Sequence, residues 1–351
     1  MGGGHMDYGS EKWLLYFSES QPRRPAVIRQ LLSNHLTTSA LFWGRAYGLL
    51  DIIALPLDIN NFEPTLDELC QKKLLVETSK GMCLTAKGKL RVEELKSKHQ
   101  FLREPAFFNG FDLKGWEKQF YLLVQVASEL SYQNNKYFAI TNDFRTQQLF
   151  KNWFRRYGKA TLLEEITTSL TDFLAHEPKL DAQLFCEQLT GHGRLGQTKA
   201  QLAARYRLQI AEIEVGWRDM CARYAKYLLE QNFELAKLVL NYKRLSNLPA
   251  STEKTYTLFL AGKSIEEIAN LRRIRKSTVQ EHLLNVAILA DDFPKEQLLS
   301  PKIKKQIVDL FENCPVLDWK FQQLHESYPE ISFFEYRLCQ IERIIAGERK
   351  A

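Results

Sequence analysis

The stretch Ser264-Ile-Glu-Glu-Ile-Ala269-Asn-Leu-Arg-Arg-Ile274-Arg-Lys-Ser-Thr-Val279-Gln-Glu-His-Leu283 decides the fold of the C-terminal part of the chain. Its apolar residues recur at helical spacing on both sides of a cationic turn, which predicts two short amphipathic helices. Ser264 and Glu267 form the pattern of a capping box at the start of the first helix. Ala269 is small enough for the helices to cross closely, and Ile274 would fill the turn. The pattern therefore predicts a helix-turn-helix.

A further helix is predicted before this motif, over residues 252–260. Gly262 would end it, because glycine adopts the left-handed conformation of a helix C-cap without strain. In the last helix of the motif, Ser277 followed by Gln280 predicts a second capping box. The turn position that glycine usually holds is Arg273 here, and a left-handed arginine costs about 1 kcal/mol.

The start of the last helix carries the residues of a predicted DNA-binding surface. Such a helix enters the major groove with its N-terminal residues against base edges, where glutamine can read adenine. Neighbouring cations would neutralise phosphates. The predicted phosphate contacts are Arg272, Arg273, Arg275 and Lys276. The residues predicted to face the bases are Ser277, Gln280 and Glu281, with Thr278 at the margin.

The other face of this helix is predicted from a rotation of about 100° per residue. Val279, His282 and Leu283 point inward, and Leu284 points outward. An outward Leu284 could contact a thymine methyl or the tail helices, and we expect it to dock a protein partner. We expect His282 to be a packed histidine without a role in proton transfer.

The N-terminal segment, residues 7–100, is predicted to be a winged-helix-like domain. Residues 65–75 read as a helix, and two short strands around Gly81 read as a small hairpin. A helix over residues 90–98 follows the phrase Leu84-Thr-Ala-Lys-Gly88, and two helices over residues 25–36 and 39–50 precede the hairpin. Lys80, at the tip of the hairpin, is a candidate phosphate contact.

The middle segment, residues 101–248, is predicted to be almost wholly helical. Its aromatic residues, such as Trp116 and Phe120, stand at helical spacing and are expected in a core, although aromatic residues can also stack on bases. Lys151, Arg155 and Lys159 stand four residues apart and would form one basic stripe with further phosphate contacts.

Residues 198–216 repeat the spacing of the C-terminal motif. Ala203, Leu208 and Ile213 correspond to Ala269, Ile274 and Val279. This spacing predicts a second, degenerate helix-turn-helix, although a plain helical hairpin gives nearly the same pattern.

The third domain is predicted over residues 251–345. Tail helices are expected over residues 302–312, 317–324 and 333–345, after a linker that contains Asp291, Asp292 and Pro294. Residues 1–6, Met-Gly-Gly-Gly-His-Met, resemble an expression scar, so the natural chain is expected to start at Met6. The predicted fold class is thus mainly α, with a winged-helix-like N-terminal domain, a helical middle and a C-terminal helix-turn-helix domain.

Composition limits the classes of function. The chain has 351 residues, 45% hydrophobic and 26% charged, and a net charge of +6. These values are ordinary for a globular protein and permit binding to nucleic acid where the positive charge is local. No apolar run reaches the ~18 residues that a membrane span needs. Six scattered cysteines without a CxxC pair predict reduced thiols in a cytoplasmic protein.

Two glycine motifs imitate nucleotide-binding loops. Residues 191–196 match GxGxxG, but a helical pattern precedes them, whereas a dinucleotide site requires a strand there. Gly262-Lys-Ser264 resembles the end of a P-loop, yet Thr257 stands where the first glycine is required. We expect no cofactor, no metal and no enzymatic activity.

Three resemblances extend the helix-turn-helix prediction. The spacing of Glu267, Ile274, Val279 and Leu283 resembles LuxR-type helix-turn-helices. Residues 251 to about 345 resemble the domain at the C-terminus of many RecQ-type helicases, and Pro329-Glu-Ile-Ser-Phe-Phe-Glu-Tyr-Arg-Leu338 is similar to its closing helix. The whole chain resembles the YpbB family of Firmicutes, stand-alone proteins encoded beside a RecQ-like helicase.

The resemblance implies an accessory role in DNA metabolism with DNA and a RecQ-like helicase as partners, at the nucleoid. It carries no catalytic residues. Two alternatives stay open: a sequence-specific transcriptional regulator, and a protein-docking scaffold without direct DNA contact. The oligomeric state is not predicted.

Overall fold

The computed structural model describes residues 11–51, 59, 61–98, 103, 111–243, 248–290 and 292–347. The predicted scar at residues 1–6 lies outside these residues, as does Asp291 of the predicted linker. The described part is mainly helical, with sixteen α-helices and one two-stranded hairpin, so the predicted fold class is confirmed. The chain forms two compact units. Of the described residues, unit A contains those within Met1–Lys12 and Leu90–Leu245, and unit B contains those within Trp13–Lys89 and Ser246–Ala351.

The N-terminal elements follow the predicted order with shifted ends. A 3₁₀ helix, Lys12–Tyr16, comes first, and the hairpin lies between the third and fourth helices. Left-handed residues set several ends: Asn34, Gly48 and Lys73 have φ of 58°, 67° and 57°, and each follows a helix that stops before its predicted end. The elements are α1 (Pro25–Leu32), α2 (Thr38–Tyr47), α3 (Phe62–Gln71), β1 (Leu75–Thr78), β2 (Gly81–Leu84) and α4 (Ala86–Lys98).

Glycines hold the hairpin close to its neighbours. Leu75 pairs with Leu84 and Thr78 with Gly81 in an antiparallel register. A Cβ at Gly81 would lie 2.6 Å from the Arg23 carbonyl oxygen, and a Cβ at Gly88 would lie 2.0 Å from the Leu74 oxygen. Gly88 therefore permits α4 to begin against the start of β1.

Unit A has a core of aromatic side chains on long helices. Trp116 and Phe120 are fully buried, as expected, and the Trp116 Nε1 donates to the Cys221 oxygen at 3.0 Å. The long helix α6 kinks at Gly158, where φ is 83°. The helices are α5 (Leu113–Ser131), α6 (Phe144–Ala175), α7 (Lys179–Glu187), α8 (Lys199–Tyr206), α9 (Ile210–Glu230) and α10 (Ala236–Leu240).

Unit B completes its core with the C-terminal helices. Two 3₁₀ helices, Lys295–Gln297 and Val316–Asp318, connect them. The helices are α11 (Ala250–Leu260), α12 (Ile265–Arg272), α13 (Lys276–Leu289), α14 (Pro301–Leu310), α15 (Phe321–Ser327) and α16 (Phe333–Ile345).

N-terminal and C-terminal segments share the core of unit B. Leu41, Phe42 and Ala46 of α2 belong to the same cluster of buried residues as Val279 and Leu283 of α13. Helix α13 packs against α2, α11, α12 and α16. The sequence analysis predicted separate domains over residues 7–100 and 251–345. Helical periodicity shows that a helix has an apolar face, but it does not show which other helix covers that face.

The prediction of an outward Leu284 is wrong. Its side chain is only 4% exposed and lies in the core of unit B. A helix with neighbours on several sides has no solvent face along its whole length, so the rotation count failed there. Leu284 therefore cannot dock a partner.

Leu284→Ala should lower the free energy of unfolding by about 2–5 kcal/mol, because it removes buried methyl groups and leaves a cavity. Leu271→Ala is the matched control, since Leu271 is 62% exposed on α12, and should change the free energy by less than about 0.5 kcal/mol. Urea denaturation followed by circular dichroism measures both. Equal effects of the two substitutions would contradict this packing.

Candidate nucleic-acid interface

The turn between α12 and α13 has the geometry that the sequence predicted. Ser264 caps α12: its Oγ accepts from the Glu267 backbone N–H at 3.2 Å, and the Glu267 carboxylate accepts from the Ser264 N–H at 2.8 Å. Arg273 ends α12 in the left-handed conformation, with φ 53° and ψ 45°. The Ile274 N–H then donates to the Ala269 carbonyl at 3.0 Å and closes the turn.

Helix α13 starts earlier than predicted. Arg275 is its N-cap residue, with extended backbone and no side-chain capping hydrogen bond, and Lys276 is the first helical residue. The predicted capping box of Ser277 and Gln280 is therefore wrong. The turn leaves only Ile274 and Arg275 between the left-handed residue and the helix, so Ser277 already lies inside the first helical turn, where it is exposed.

The four predicted phosphate contacts differ in their surroundings. Arg273 and Arg275 are exposed, and neither has an ion pair or hydrogen bond through its side chain within the described part of the chain. Lys276 is also exposed, and its Nζ lies 2.8 Å from a carboxylate oxygen of Glu266. Such surface pairs contribute about 0–1 kcal/mol, so Lys276 can exchange this partner for a phosphate.

Arg272 is half-buried, and its side chain lies against α11 instead. Its two terminal nitrogens donate to the Ser251 carbonyl at 2.8 Å, to the Ser251 hydroxyl at 2.9 Å and to the Thr255 hydroxyl. These bonds fasten the end of α12 to the start of α11. These bonds hold the terminal nitrogens of the half-buried Arg272 on α11, which argues against the predicted phosphate contact of Arg272. No sequence pattern marked Ser251 or Thr255 as its partners.

Only the first part of α13 is open to a ligand. Ser277 and Glu281 are exposed, and Thr278 and Gln280 are half-buried. Beyond Glu281 the helix is enclosed on most sides, with these residues buried: Leu283, Leu284, Val286, Ala287 and Ile288. The accessible surface is thus the N-terminal end of the helix and the turn before it, which is the part that helix-turn-helix proteins place against base edges.

His282 stands behind this surface as a packed side chain, as expected. Its Nδ1 lies 2.7 Å from the Thr255 Oγ1 and 3.3 Å from Arg272 Nη1. The Thr255 hydroxyl accepts from Arg272, so its own proton can go to His282 Nδ1, which then accepts as in a neutral ring. Burial lowers the pKa of His282, and the charge of Arg272 lowers it further.

The remaining candidate contacts lie elsewhere. Lys80 at the hairpin tip forms an ion pair with both carboxylate oxygens of Asp318, at 2.7 and 2.9 Å, so it is not free in this structure. Lys151, Arg155 and Lys159 are exposed. The kink at Gly158 lies between Arg155 and Lys159, so the three residues do not share one uninterrupted helical stretch. Their phosphate contacts stay a prediction.

Helices α8 and α9 repeat the backbone of the C-terminal motif. Thr198 and Gln201 form a capping box, Arg207 is left-handed with φ 54° and ψ 43°, and the Leu208 N–H donates to the Ala203 carbonyl at 2.9 Å. Each of these residues stands 66 positions before its counterpart in the C-terminal motif. The turn bond and the dihedral angles agree closely between the two motifs.

The repeated motif differs in its surface chemistry. Gln209 stands in the place of Arg275, Ile210 in the place of Lys276, and Glu214 in the place of Gln280. Ile210 is 52% exposed, and Glu214 pairs with Arg218 at 2.9 Å. Only Arg207 keeps the cation of its counterpart, so this motif lacks the positive cluster that phosphate binding requires.

The glycine motifs are connections between helices. Residues 191–196 lie between α7 and α8, where Gly193 has φ 65° and a Cβ at Gly196 would lie 2.2 Å from the Gln188 oxygen. Gly262 has φ 79° between α11 and α12. Among the described residues, no group of histidine, cysteine, aspartate or glutamate could hold a metal ion. No described helix combines the length and the apolar character of a membrane span.

Comparison with known proteins identifies the C-terminal part of the chain. Residues 251–340 match a family model described as a helix-turn-helix domain. The chain is also 27% identical to Protein YpbB of Bacillus subtilis (strain 168) over 233 residues. This match covers 65% of each of the two chains, so it leaves about a third of the relative unmatched. No solved structure matches the chain significantly.

The matched domain contains the whole candidate surface. Arg273, Arg275 and the open end of α13 lie within residues 251–340. A helix-turn-helix domain suggests DNA binding, and the resemblance to YpbB proposed from the sequence is confirmed.

The structure of His282 predicts a pH-dependent stability. The pKa of His282 is lower in the folded chain than the ~6.5 of an unfolded histidine. The unfolded state therefore binds the proton more readily, so this contribution to stability is present above about pH 6.5 and is lost as the pH falls through the folded pKa. Urea midpoints between pH 5 and 7.5 measure it.

His282→Gln should flatten this slope between pH 5 and 7.5. His35→Gln, which changes an exposed histidine, should leave the slope as it is. The assignment to His282 fails if the wild-type slope persists in His282→Gln.

Proposed function

We propose that the chain is a non-enzymatic DNA-binding accessory protein that acts with a RecQ-like helicase. One observation carries the DNA-binding part. Arg273 and Arg275 are exposed on a left-handed turn, without partners among the described residues, immediately before the open N-terminal end of α13.

The physical case rests on the charge of this turn and on the helix behind it. Two guanidinium groups and the weakly paired Lys276 can neutralise neighbouring phosphates and release their counterions. The unpaired N–H groups at the start of α13 also attract anions. Ser277, Thr278, Gln280 and Glu281 would then face the groove, and Gln280 has the donor and acceptor pair that reads adenine.

The helicase partnership rests on the resemblance of the chain. Residues 251–345 resemble the domain that many RecQ-type helicases carry at their own C-terminus, and the chain is similar to YpbB. We infer that the chain supplies this domain in trans and holds the helicase on DNA, while the motor activity and its nucleotide belong to the other polypeptide. This role places the chain at the nucleoid.

The double substitution Arg273→Gln, Arg275→Gln should weaken binding to a short duplex by about tenfold or more at low salt, because two phosphate contacts are lost. Arg207→Gln is the matched control. It removes an exposed, left-handed arginine from the repeated motif, which lacks the neighbouring cations. Fluorescence anisotropy measures both affinities. Equal losses in the two variants would contradict the assignment of the interface to α13.

The salt dependence of the DNA affinity gives the number of phosphate contacts. With Arg272 bonded to α11, three cations remain available at the turn, so the slope of log K against log salt on duplex DNA should be about −2.7. The double variant should reduce the magnitude of this slope by about 1.8. A wild-type affinity that does not change with salt would exclude phosphate contacts at this surface.

The helicase partnership is tested separately from DNA binding. Co-purification from native cells should recover a RecQ-like helicase with the wild-type chain and, at the same level, with the Arg273→Gln, Arg275→Gln variant. The recovered complex should bind DNA more tightly with the wild-type chain than with the variant. Absence of any helicase from the purified material refutes the partnership but leaves DNA binding standing.

A docking scaffold without DNA contact is the competing function. Two observations favour it: Lys276 already pairs with Glu266, and the repeated motif has acidic and apolar residues at its open end. The scaffold would be supported if the wild-type chain and the Arg273→Gln, Arg275→Gln variant both recover the helicase, and if the two complexes bind DNA equally tightly.

A further inference from the structure

Unit B contains a cavity that the helix-turn-helix does not use. Its volume is about 250 Å³, and it lies between α2, the 3₁₀ helix Val316–Asp318 and α16. Three cations line it: Arg24, Lys320 and Arg337. No sequence motif marked these residues, because they come from segments about 300 positions apart.

Aromatic rings fix both arginines. The Arg24 guanidinium lies 4.1 Å from the centroid of the Trp43 ring, and the Arg337 guanidinium lies 4.0 Å from that of Phe42. Stacking on a ring occupies the face of a guanidinium and leaves the N–H groups at its edge available. Such an arginine is oriented in advance for two parallel hydrogen bonds to an oxyanion.

The charges of the lining are not balanced. Asp318 is its one carboxylate, and that carboxylate is already bound by Lys80 at 2.7 and 2.9 Å. Neither Arg24 nor Arg337 has an ion pair within the described residues, although Arg337 is half-buried. Burial lowers the pKa of Arg337, and the charge of Arg24 adds to this effect. An anion in the cavity would relieve the repulsion between the two arginines.

Gln340 supplies a further polar group to the cavity wall. Its side chain is 2% exposed, and its Nε2 donates to the Val316 carbonyl at 3.0 Å. Its Oε1 is buried and has no hydrogen-bond partner in the described structure. Such a buried acceptor costs free energy until it receives a donor, and the hydroxyl of a protonated phosphate is one.

We propose that this cavity binds a phosphate group, held between the guanidinium edges of Arg24 and Arg337 with Lys320 at the rim. The group comes either from free phosphate or from the 5′-terminal phosphate of a nucleic-acid strand. The cavity volume of about 250 Å³ is below the ~300 Å³ at the lower end of small-molecule sites, which suits a group as small as phosphate. The site is independent of the helix-turn-helix surface, since it shares no residue with the turn at Arg273.

The first experiment measures inorganic phosphate binding to the full chain. Trp43 and Trp319 line the cavity, so intrinsic tryptophan fluorescence should change in a saturable way with phosphate and not with chloride at the same ionic strength. Isothermal titration calorimetry gives the dissociation constant and the stoichiometry. No saturable response to phosphate, by either method, overturns the proposal.

The variants assign the site. Arg337→Gln and Arg24→Gln should each weaken phosphate binding at least about tenfold, the loss expected for a charge-assisted hydrogen bond. Arg24 is exposed, so Arg24→Gln should still fold. It therefore tests the site even if Arg337→Gln does not fold. Arg29→Gln is the control, since Arg29 is a surface arginine that pairs with Glu63 at 3.2 Å. Unchanged binding in both cavity variants would overturn the site.

Two oligonucleotides that differ only in a 5′-phosphate or a 5′-hydroxyl distinguish the sources. A preference for the phosphorylated strand that Arg24→Gln abolishes would identify a strand end. Equal binding of both strands, with saturable binding of inorganic phosphate, would identify the free anion. Arg273→Gln, Arg275→Gln should retain phosphate binding in either case, so a failure of the proposed DNA surface leaves this result readable.

Discussion

The enclosure of α13 is the constraint on which unit B depends. The helix packs against α2, α11, α12 and α16, and its buried residues Leu283, Leu284 and Ile288 belong to the same core. Burial of apolar surface is the dominant favourable contribution to the free energy of folding. It fixes α13 rigidly and at the same time withdraws most of it from any ligand.

The candidate interface is short for the same reason. It consists of the left-handed turn and the first turn and a half of α13, while the hydrogen bonds of Arg272 connect α12 to α11. A rigid support holds the remaining cations in place before a ligand arrives, which lowers the ordering entropy lost on binding. The N-terminal end of α13 thus belongs to the proposed DNA surface, and its C-terminal part belongs to the core.

The repeated motif shows which part of this design is structural. Arg207 and Arg273 adopt the same left-handed conformation, although neither is glycine. In both, the turn is closed by the same backbone hydrogen bond and preceded by a capping box. Those bonds offset the cost of about 1 kcal/mol for a left-handed arginine. The backbone of the turn is therefore structural and common to both motifs, whereas the charged side chains around it differ between them.

The sequence by itself determined the helical class, the hairpin and the turn at Arg273, because capping, periodicity and left-handed positions are local properties. It left the turn at Arg207 open between a helix-turn-helix and a plain helical hairpin, which have nearly the same spacing. It could not determine where Leu284 and Arg272 point, since both depend on partners distant in sequence: the core that α2 joins, and the Ser251 and Thr255 oxygens. The start of α13 was missed because the length of the turn, and not the best capping residue, sets it. The pairing of Lys80 with Asp318 and the arginines around the cavity were decided by tertiary structure alone, because only packing brings residues 24, 80, 318 and 337 together.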